Sequence, residues 1–386
     1  MSHKKYNILI SIFSLIAAGV IGWKMNSLRL WGDLPLFFFL AIWISIVLFI
    51  ENYKNATNST NYFLILSSLS GLLLSLSFPP FGLSPLLILG LVPLFYIQDK
   101  ASKDNQSALF YIYNAFVLWN IYDTYWVANA ALIPGMVAIW LNSFFMLAPW
   151  IGASWVGNYL PKVKWWSFIL FWISFEFLHL NWEISWPWLT LGNAWSSIPS
   201  CIQWIEYTGT LGISIWILLL NVFIYVFFFQ ENIHFTSIHS FFSPFYRRLV
   251  FVLLLLLLPV IFSLFRYNSF LAEGKYGEVC LVQPNYEPHY EKFAVPEMDQ
   301  ITRLGRLAEM SINKNSKFIV FPETCFGDSG GPIRSDKVGD DYRIITFYDF
   351  IESHFNIPIV MGITTVKLLS QNDHKTSFTR FNPRTN

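Results

Sequence analysis

Residues 248–286 read RLVFVLLLLLLPVIFSLFRYNSFLAEGKYGEVCLVQPNY, and the composition changes within this stretch from apolar to mixed apolar and charged. Residues 248–266 are almost entirely apolar between an arginine at each end, and they are nearly long enough to cross a hydrocarbon layer of about 30 Å as a helix. From Tyr267 onward charged residues become frequent, and GEVCLVQPNY has the composition of a buried strand. The stretch therefore predicts a last membrane helix followed by a separate α/β domain.

The composition of the whole chain is that of a membrane protein. Of its 386 residues, 54% are hydrophobic and 13% are charged, against roughly 25% charged in an ordinary soluble domain. The net charge is +1 and no basic block is interleaved with aromatic residues, so we expect no nucleic acid partner. The three cysteines and seven histidines show neither paired nor metal-ligand spacing, so we predict no disulfide, no metal site and no cofactor.

Nine apolar runs are long enough, or nearly long enough, to cross a bilayer. They cover residues 7–23, 34–50, 62–77, 83–98, 107–126, 133–157, 165–180, 207–229 and 248–266. The first run follows a basic start without a clear cleavage site, so we interpret it as a retained span. The runs predict two extra N-terminal transmembrane helices in residues 1–60 and a membrane bundle of about seven spans in residues 61–266.

The distribution of positive charge predicts the orientation of these spans. If the N-terminus is cytoplasmic, the short outside loops carry two basic residues, Lys24 and Arg29. The inside segments then carry nine: Lys4, Lys5, Lys54, Lys100, Lys103, Lys162, Lys164, Arg247 and Arg248. Lysine and arginine concentrate on the cytoplasmic side of membrane proteins. We therefore expect residues 267–386 to lie on the non-cytoplasmic face.

The loop at residues 181–204, NWEISWPWLTLGNAWSSIPSCIQW, contains no lysine or arginine and five tryptophans. Tryptophan is favourable at a membrane interface because its ring is apolar while its N–H needs a polar partner. The loop therefore forms either an interfacial belt or, more specifically, a lipid-facing rim beside the α/β domain. Under the second interpretation Trp186 and Trp188 are candidate substrate contacts.

The last part of the chain alternates strand and helix patterns. A helix is predicted at 296–313, a strand at KFIVFPE, a helix at 341–354 and a strand at IPIVMGITTVKLL. This alternation is typical of an α/β domain with parallel strands buried on both faces. Functional side chains in such domains collect at the carboxyl ends of the strands.

Glu323 follows the apolar run FIVFP and is therefore predicted at such a strand end. A partly desolvated carboxylate in this position suits a general base, because desolvation raises its pKa towards neutrality. A single glutamate after a strand is also a common cap or salt-bridge partner, so its position alone leaves both roles open.

Cys325 lies two residues after Glu323, in the segment CFGDSGGP. A cysteine is nucleophilic where a cation or a helix N-terminus stabilises its thiolate, and the sequence shows no such neighbour. We therefore predict a packing role for Cys325. The GDSGGP string matches the nucleophile loop of serine proteases by chance, because those enzymes present their triad on β-barrels.

Glu176 and His179, in WISFEFLHLNW, are ionisable residues at membrane depth. Such residues are costly in a bilayer and face a partner or a cavity. Their spacing places them on one helical face. They are therefore predicted either to contact each other or to contact the substrate.

Five motifs together resemble the apolipoprotein N-acyltransferases, bacterial inner-membrane enzymes with a nitrilase-like domain on a helical bundle. In chain order they are LSFPPFGLSPLLILGLVPLFY, FVLWNIYDTYWV, EFLHLNWEISWPWLTLGNAW, VCLVQPNYEPHYEKF and FIVFPET. The resemblance covers about residue 62 to the end, and the first 60 residues lie outside it. It implies a polytopic α-helical membrane domain followed by a nitrilase-like (αββα) domain, residues 267–386, on the periplasmic side.

The resemblance also implies the reaction and its partners. A cysteine thiolate takes an acyl chain from a phospholipid donor as a thioester, then transfers it to the terminal amine of a diacylated apolipoprotein. In the family a glutamate is the base, a lysine stabilises the oxyanion and a cysteine is the nucleophile. FPET assigns the base to Glu323, and His179 stands where the family commonly has arginine.

The family's lysine and cysteine motifs have no counterpart before Asn386, and Lys367 and Lys375 are not assigned to the lysine role. We therefore expect an incomplete nitrilase-like domain that forms no acyl-enzyme alone, with a separate C-terminal fragment as a candidate source of both residues. Two alternatives stay open: a membrane-tethered nitrilase-type amidase and a non-catalytic remnant of the family. The tryptophan-rich loop disfavours the amidase, since a soluble substrate needs no lipid-facing rim.

Overall fold

The computed structural model describes residues 3–53, 58–182, 184–230, 245–270, 274, 276–287, 291–292, 294–323, 325, 331–354 and 357–369. The chain divides into two compact units, residues 1–271 and 272–386. The first unit is helical and the second combines short parallel strands with helices.

Eleven α-helices occur among the described residues of the helical unit. They are α1 His3–Ser27, α2 Leu34–Tyr53, α3 Asn58–Ser77, α4 Leu87–Gly90, α5 Val92–Lys103, α6 Leu109–Thr124, α7 Leu132–Phe145, α8 Ala148–Tyr159, α9 Lys164–Asn181, α10 Ile205–Ile224 and α11 Phe245–Ser269. Each of the nine predicted apolar runs lies in helical structure. Two of these runs are broken, one between α4 and α5 and one between α7 and α8.

Five segments are both long and apolar enough to cross a membrane. They are Lys5–Ser27, Leu34–Asn52, Leu132–Tyr159, Ile205–Phe229 and Phe245–Ser269. The sequence predicted nine spans, so four of the predicted runs do not reach this length and apolarity in the described part of the chain. These runs form helices that are shorter, interrupted or more polar, and they contribute many of the fully buried residues of the bundle core.

The break between α4 and α5 has an identifiable cause. Pro93 lacks a backbone N–H and its ring conflicts with the helical path of the preceding turn. Asn221 of α10 occupies the break: the Leu91 amide donates to its Oδ1 at 2.9 Å, and its Nδ2 donates to the Leu87 carbonyl at 2.9 Å. Asn221 thus supplies hydrogen-bond partners to backbone groups at the break, in an apolar interior where an unsatisfied group costs several kcal/mol.

The first two helices are attached to the bundle in series. Helix α1 packs chiefly on α2, where the Ser11 hydroxyl donates to the Ser45 carbonyl at 2.9 Å. Helix α2 contacts α6 in turn, and the Trp43 indole N–H donates to Asn114 Oδ1 at 2.9 Å. Only 17% of the apolar window of α1 is buried. Most of the apolar surface of α1 is therefore not covered by the described part of the chain.

The α/β unit contains five short strands and two helices among its described residues. They are β1 Glu278–Leu281, α12 Glu297–Ser311, β2 Ser316–Val320, β3 Ile333–Arg334, α13 Tyr342–His354, β4 Ile359–Val360 and β5 Thr365–Val366. Strands β1, β2 and β4 form one parallel sheet in that order, and β3 pairs with β5 in a second parallel sheet. Helices α12 and α13 pack around a core that includes Ile301, Ile319 and Phe347.

The two helices predicted in this unit are confirmed within two residues at each end. The single strand predicted over IPIVMGITTVKLL is wrong, because β4 and β5 belong to different sheets. Between these strands the chain continues beside residues 321–325: the Gly362 amide donates to the Pro322 carbonyl at 3.2 Å, and the Cys325 amide donates to the Gly362 carbonyl at 2.9 Å. The apolar run therefore contains a connection that its composition does not reveal.

Arg343, at the start of α13, forms a buried ionic network. Its Nη1 donates at 2.8 Å to Glu297 Oε2 of α12 and at 2.8 Å to the Gly331 carbonyl. Its Nε and Nη2 donate to the two carboxylate oxygens of Asp341, each at 2.8 Å. The exposed fractions of the Arg343 and Glu297 side chains are 5% and 6%. The network therefore joins the two helices in a region shielded from water.

Candidate functional site

The carboxyl ends of β1 and β2 meet at one edge of the sheet because these strands are parallel. Residues 283–286 follow β1 and residues 322–325 follow β2 at this edge. A cavity of about 190 Å³ lies between them, which we call the strand-end pocket. Its lining residues are Gln283, Pro284, Asn285, Tyr286, Lys292, Gln300, Leu304, Pro322 and Cys325. The structure thus has a concave site where polar groups are expected in this class of sheet.

Glu323 lies between two lining residues of the strand-end pocket, at the carboxyl end of β2 as predicted. Its side chain is exposed, so the partial desolvation predicted from the sequence is wrong for this structure. The backbone of Glu323, in contrast, packs closely against the segment that contains Gly362. An added Cβ on Gly362 would lie 1.5 Å from the Glu323 carbonyl oxygen.

Gly362 is a site residue that the sequence interpretation missed. The signal was a glycine inside an otherwise strand-like run, which often marks a close approach of another backbone. Hydrogen bonds from the Gly362 amide and to its carbonyl flank Glu323 on both sides. The position of Glu323 therefore depends on the absence of a side chain at residue 362.

Cys325 is packed rather than poised for reaction. Its side chain is buried in the core of the α/β unit, and the thiol donates to the Pro322 carbonyl at 3.2 Å. Burial raises the pKa of the Cys325 thiol to about 11. A thiol with this pKa is neutral at physiological pH, whereas the nucleophile is the thiolate. The geometry therefore agrees with the packing role predicted for this residue.

We expect alkylation of Cys325 to be slow in the folded chain. At pH 8 a thiol with a pKa of about 11 is deprotonated in about one molecule in a thousand, and the rate should rise about tenfold per pH unit up to pH 10. The measurement is iodoacetamide labelling of a Cys201→Ser, Cys280→Ser background, followed by mass spectrometry. The detergent-unfolded chain is the control and should react on the order of 100-fold faster at pH 8. Equal rates in the folded and unfolded chain would contradict the assignment.

The backbone at Lys292 and at Val295 is held beside the strand-end pocket by Gln300 of α12. The Gln300 side-chain amide donates to the Lys292 carbonyl at 2.8 Å and to the Val295 carbonyl at 2.9 Å. On another side of the pocket, the Arg303 guanidinium lies 4.6 Å from the Tyr286 ring centroid. These contacts attach two walls of the pocket to the same helix, α12.

Glu176 of α9 is buried in the helical unit and attaches a loop to the helix. Its Oε1 accepts hydrogen bonds from the Trp172 indole N–H and from the Leu191 amide, each at 2.9 Å. Leu191 belongs to the tryptophan loop, residues 181–204. Glu176 therefore positions this loop. The hydrogen-bond and ring partners of His179 are different residues from the partners of Glu176.

His179 continues a chain of buried polar side chains that the sequence interpretation missed. His179 Nε2 lies 2.8 Å from Asn142 Oδ1, and Asn142 Nδ2 donates to Asn120 Oδ1 at 2.7 Å. The His179 ring stacks on Phe175 with centroids 4.8 Å apart. A small cavity of about 30 Å³ is lined by both His179 and Trp186. Two predicted site residues are thus close together, and the chain joins α6, α7 and α9.

The tryptophans of the tryptophan loop have different environments. Trp195 is 3% exposed and belongs to the core, while Trp188 is 46% exposed. The Trp188 ring makes edge contacts with Trp186 at 4.8 Å and with Trp126 of another motif at 5.4 Å. Part of the loop is therefore core, and the candidate contacts Trp186 and Trp188 form an aromatic cluster with Trp126.

Comparison with known proteins supports the resemblance. Residues 70–223 match the family model of the apolipoprotein N-acyltransferase N-terminal domain. The apolipoprotein N-acyltransferase of Chlorobaculum tepidum is 26% identical over 270 residues, which cover 66% of this chain and 48% of that protein. Those of Thermotoga maritima and Geobacter metallireducens are 26% and 25% identical over 285 and 283 residues, covering 68% and 67% of this chain.

The chain spans about half the length of these curated relatives, with shares of 48%, 51% and 50%. Glu176, His179, Trp186 and Trp188 lie inside the region that matches the family model, and Glu323 lies outside it. The resemblance read from the five motifs is confirmed by these matches.

Proposed function

We propose that this relative of the apolipoprotein N-acyltransferases transfers an acyl chain from a phospholipid to the terminal amine of diacylglyceryl-cysteine in lipoproteins. The observation that carries the proposal is the match of residues 70–223 to the N-terminal domain of that family. The mostly helical unit with five apolar candidate spans fits an enzyme whose substrates are lipids and lipid-anchored proteins.

We assign Glu323 as the general base of this transfer. In the first half, the base takes the proton of a thiol while its sulfur attacks the ester carbonyl carbon of the donor. The ester C–O bond breaks, and the lysophospholipid leaves as an alcohol with that proton. In the second half, the lipoprotein amine attacks the thioester and loses a proton through the same carboxylate. The C–S bond breaks, an amide forms and the thiol is restored.

The α/β unit supports this assignment through its topology. We propose a nitrilase-like fold, in which β1, β2 and β4 belong to the parallel sheet and α12 and α13 to a covering layer. Glu323 is at the carboxyl end of a strand of this sheet, where catalytic groups of α/β domains usually lie. Its exposed carboxylate is accessible to a substrate.

In the helical unit we propose that Glu176, His179, Trp186 and Trp188 form the substrate-binding side. Glu176 acts as a positioning residue, because it holds the tryptophan loop through the Leu191 amide. Trp188 is exposed and is the member of this set best placed to contact lipid. The charge bias of the loops supports a multi-pass protein of a bacterial inner membrane with a cytoplasmic N-terminus and a periplasmic α/β unit.

The proposal is tested by N-acylation of a lipoprotein reporter in a bacterium depleted of its own apolipoprotein N-acyltransferase. The chain is expressed from its own locus together with the neighbouring reading frames. Mass spectrometry of the reporter measures the added acyl chain. We expect acylation with the unmodified protein and a loss of at least about 100-fold with Glu323→Gln, because the amide accepts no proton.

Glu309→Gln, which changes an exposed glutamate of α12, is the matched control and should retain acylation. Full acylation by Glu323→Gln would refute the base assignment. Hydrolysis of soluble amides without acylation of the reporter would refute the transferase and favour the membrane-tethered amidase. Absence of both reactions would favour a non-catalytic member of the family.

A further inference from the structure

A cavity with polar and apolar lining residues lies in the helical unit at the ends of several helices, away from the tryptophan loop along the chain. Its volume is about 420 Å³, and residues of α5, α8 and α9 and of the segment after α10 line it. We call it the lysine cavity, because Lys100, Lys103 and Lys164 belong to its lining. None of the residues assigned to acyl transfer above contributes to it.

Asp99 organises the lysine cavity. Its carboxylate accepts four hydrogen bonds: from Lys164 Nζ at 2.8 Å, the Trp165 indole N–H at 3.3 Å, the Tyr225 hydroxyl at 2.7 Å and the Gln230 amide at 3.2 Å. A carboxylate with this many donors needs no additional cation for its charge. The lining carries three lysines against Asp99, so its excess charge is positive, and Lys100 Nζ also lies 4.0 Å from Oδ1 of the neighbouring Asp104.

Lys164 is held in place before any ligand binds. Its ammonium pairs with Asp99 and lies 4.4 Å from the centroid of the Trp165 ring. Its methylene stem lies against Gly157 of α8, where an added Cβ would be 2.8 Å from Lys164 Cδ. The bond to Asp99 uses one of the three N–H donors of an ammonium. A preorganised cation of this kind binds an anion with little loss of side-chain entropy.

The segments around the lysine cavity also carry a net positive charge. Residues 99–104, 157–164, 225–230 and 245–248 contain six lysines and arginines and two aspartates. Arg248 is part of this end of the bundle, because its Nη1 donates to the Phe227 carbonyl at 2.8 Å. By the positive-inside rule this is the cytoplasmic end of the helices.

We propose that the lysine cavity binds the phosphate-bearing headgroup of an anionic phospholipid. Basic pockets between membrane helices on the cytoplasmic side suit such headgroups, and the volume of the cavity is within the range of ligand sites. A phosphate offers several acceptor oxygens to lysines. The rings of Tyr96 and Phe229 also line the cavity, and these apolar surfaces favour a lipid over free phosphate. The proposal is independent of the proposed acyl transfer.

The test uses the purified full chain in detergent and native mass spectrometry. The chain is titrated with phosphatidylglycerol and, separately, with phosphatidylcholine carrying the same acyl chains. We expect tighter binding of phosphatidylglycerol, and a loss of roughly fivefold in affinity per lysine in a Lys100→Gln, Lys103→Gln variant. Both side chains are exposed, so the variant should fold normally.

Lys162→Gln is the matched control, because Lys162 is exposed and lies along the chain between the lining residues Pro161 and Lys164 but does not itself line the cavity. It should bind phosphatidylglycerol as the unmodified chain does. Glycerol 3-phosphate is the soluble probe and should not displace the lipid at equal concentration. Unchanged lipid binding by the double variant, an equal loss with Lys162→Gln, or displacement by glycerol 3-phosphate would each overturn the proposal.

Discussion

Replacing Gly362 by alanine is expected to destabilise the α/β unit by about 3 kcal/mol, at the upper end of the usual cost of overpacking. The added Cβ would lie 1.5 Å from the Glu323 carbonyl oxygen, 2.3 Å from its carbonyl carbon and 2.8 Å from its Cα. These atoms are backbone and cannot move aside as the end of a side chain does. Relief requires separation of residues 321–325 from residues 360–364, and this separation breaks the hydrogen bonds of Gly362 with Pro322 and Cys325.

Pulse proteolysis of the full chain in increasing urea measures this change when cleavage sites are mapped to residues 272–386. Gly339→Ala is the matched control, because Gly339 is exposed and has no atom within 4 Å of the added methyl position. It should shift stability by at most a few tenths of a kcal/mol. In the acylation assay Gly362→Ala should behave like Glu323→Gln, since it displaces the base. Normal stability together with normal acylation would show that Gly362 does not position Glu323.

The second large effect is expected from Arg343→Met, which should cost about 3–5 kcal/mol of the stability of the α/β unit. Methionine keeps much of the side-chain volume but removes all four hydrogen bonds to Glu297, Asp341 and Gly331. Glu297 would lose its ion pair with Arg343 in a buried site, and breaking a buried ion pair is strongly destabilising. Helices α12 and α13 would also lose their ionic connection.

Arg334→Gln is the control for this substitution. Arg334 pairs with Asp336 at 2.7 Å, but the exposed fractions of the two side chains are 43% and 58%. Exposed ion pairs contribute about 0–1 kcal/mol, so this variant should be nearly neutral. The same urea and proteolysis measurement compares the two variants. Equal effects of Arg343→Met and Arg334→Gln would contradict a buried network.

The Arg343 network also predicts a dependence of stability on pH. Hydrogen bonds from Arg343 hold the pKa of Asp341 below its usual range, so the folded chain binds this proton less tightly than the unfolded chain. The stabilisation is complete above the unfolded value of about 3.9. It is lost as the pH falls through the lower folded pKa. Arg343→Met should therefore be less sensitive to acid in this range than the unmodified chain.

Two sequence features carried the predictions: apolar runs, which indicate helices, and the ends of strand-like runs, which indicate candidate site residues. The apolar runs predicted the positions of helices, because a helix buried in lipid or in a protein core must be apolar over most of its length. Glu323 was predicted at a strand end because an apolar run ends immediately before it, and β2 ends three residues earlier at Val320. The break at α4 and α5 was missed because its partner Asn221 is more than a hundred residues further along the chain, and local patterns carry no such information.

The same limit explains the other errors. Asn120, Asn142 and His179 lie on three helices, and their chain of contacts exists only after these helices pack. The strand run around Gly362 is interrupted in composition only by that glycine, and its division between two sheets depends on tertiary hydrogen bonds. The exposure of Glu323 likewise depends on neighbouring segments rather than on the apolar residues before it.

The serial attachment of α1 to α2 and of α2 to α6 has a consequence for biogenesis. A ribosome releases α1 and α2 before α6, and α1 already has in α2 its principal packing partner. The two helices can therefore insert into the membrane as a helical hairpin before the rest of the bundle has formed. Their Trp43 side chain gains its hydrogen bond only when Asn114 is synthesised. Membrane insertion of the first helices is thus separable in time from assembly of the bundle.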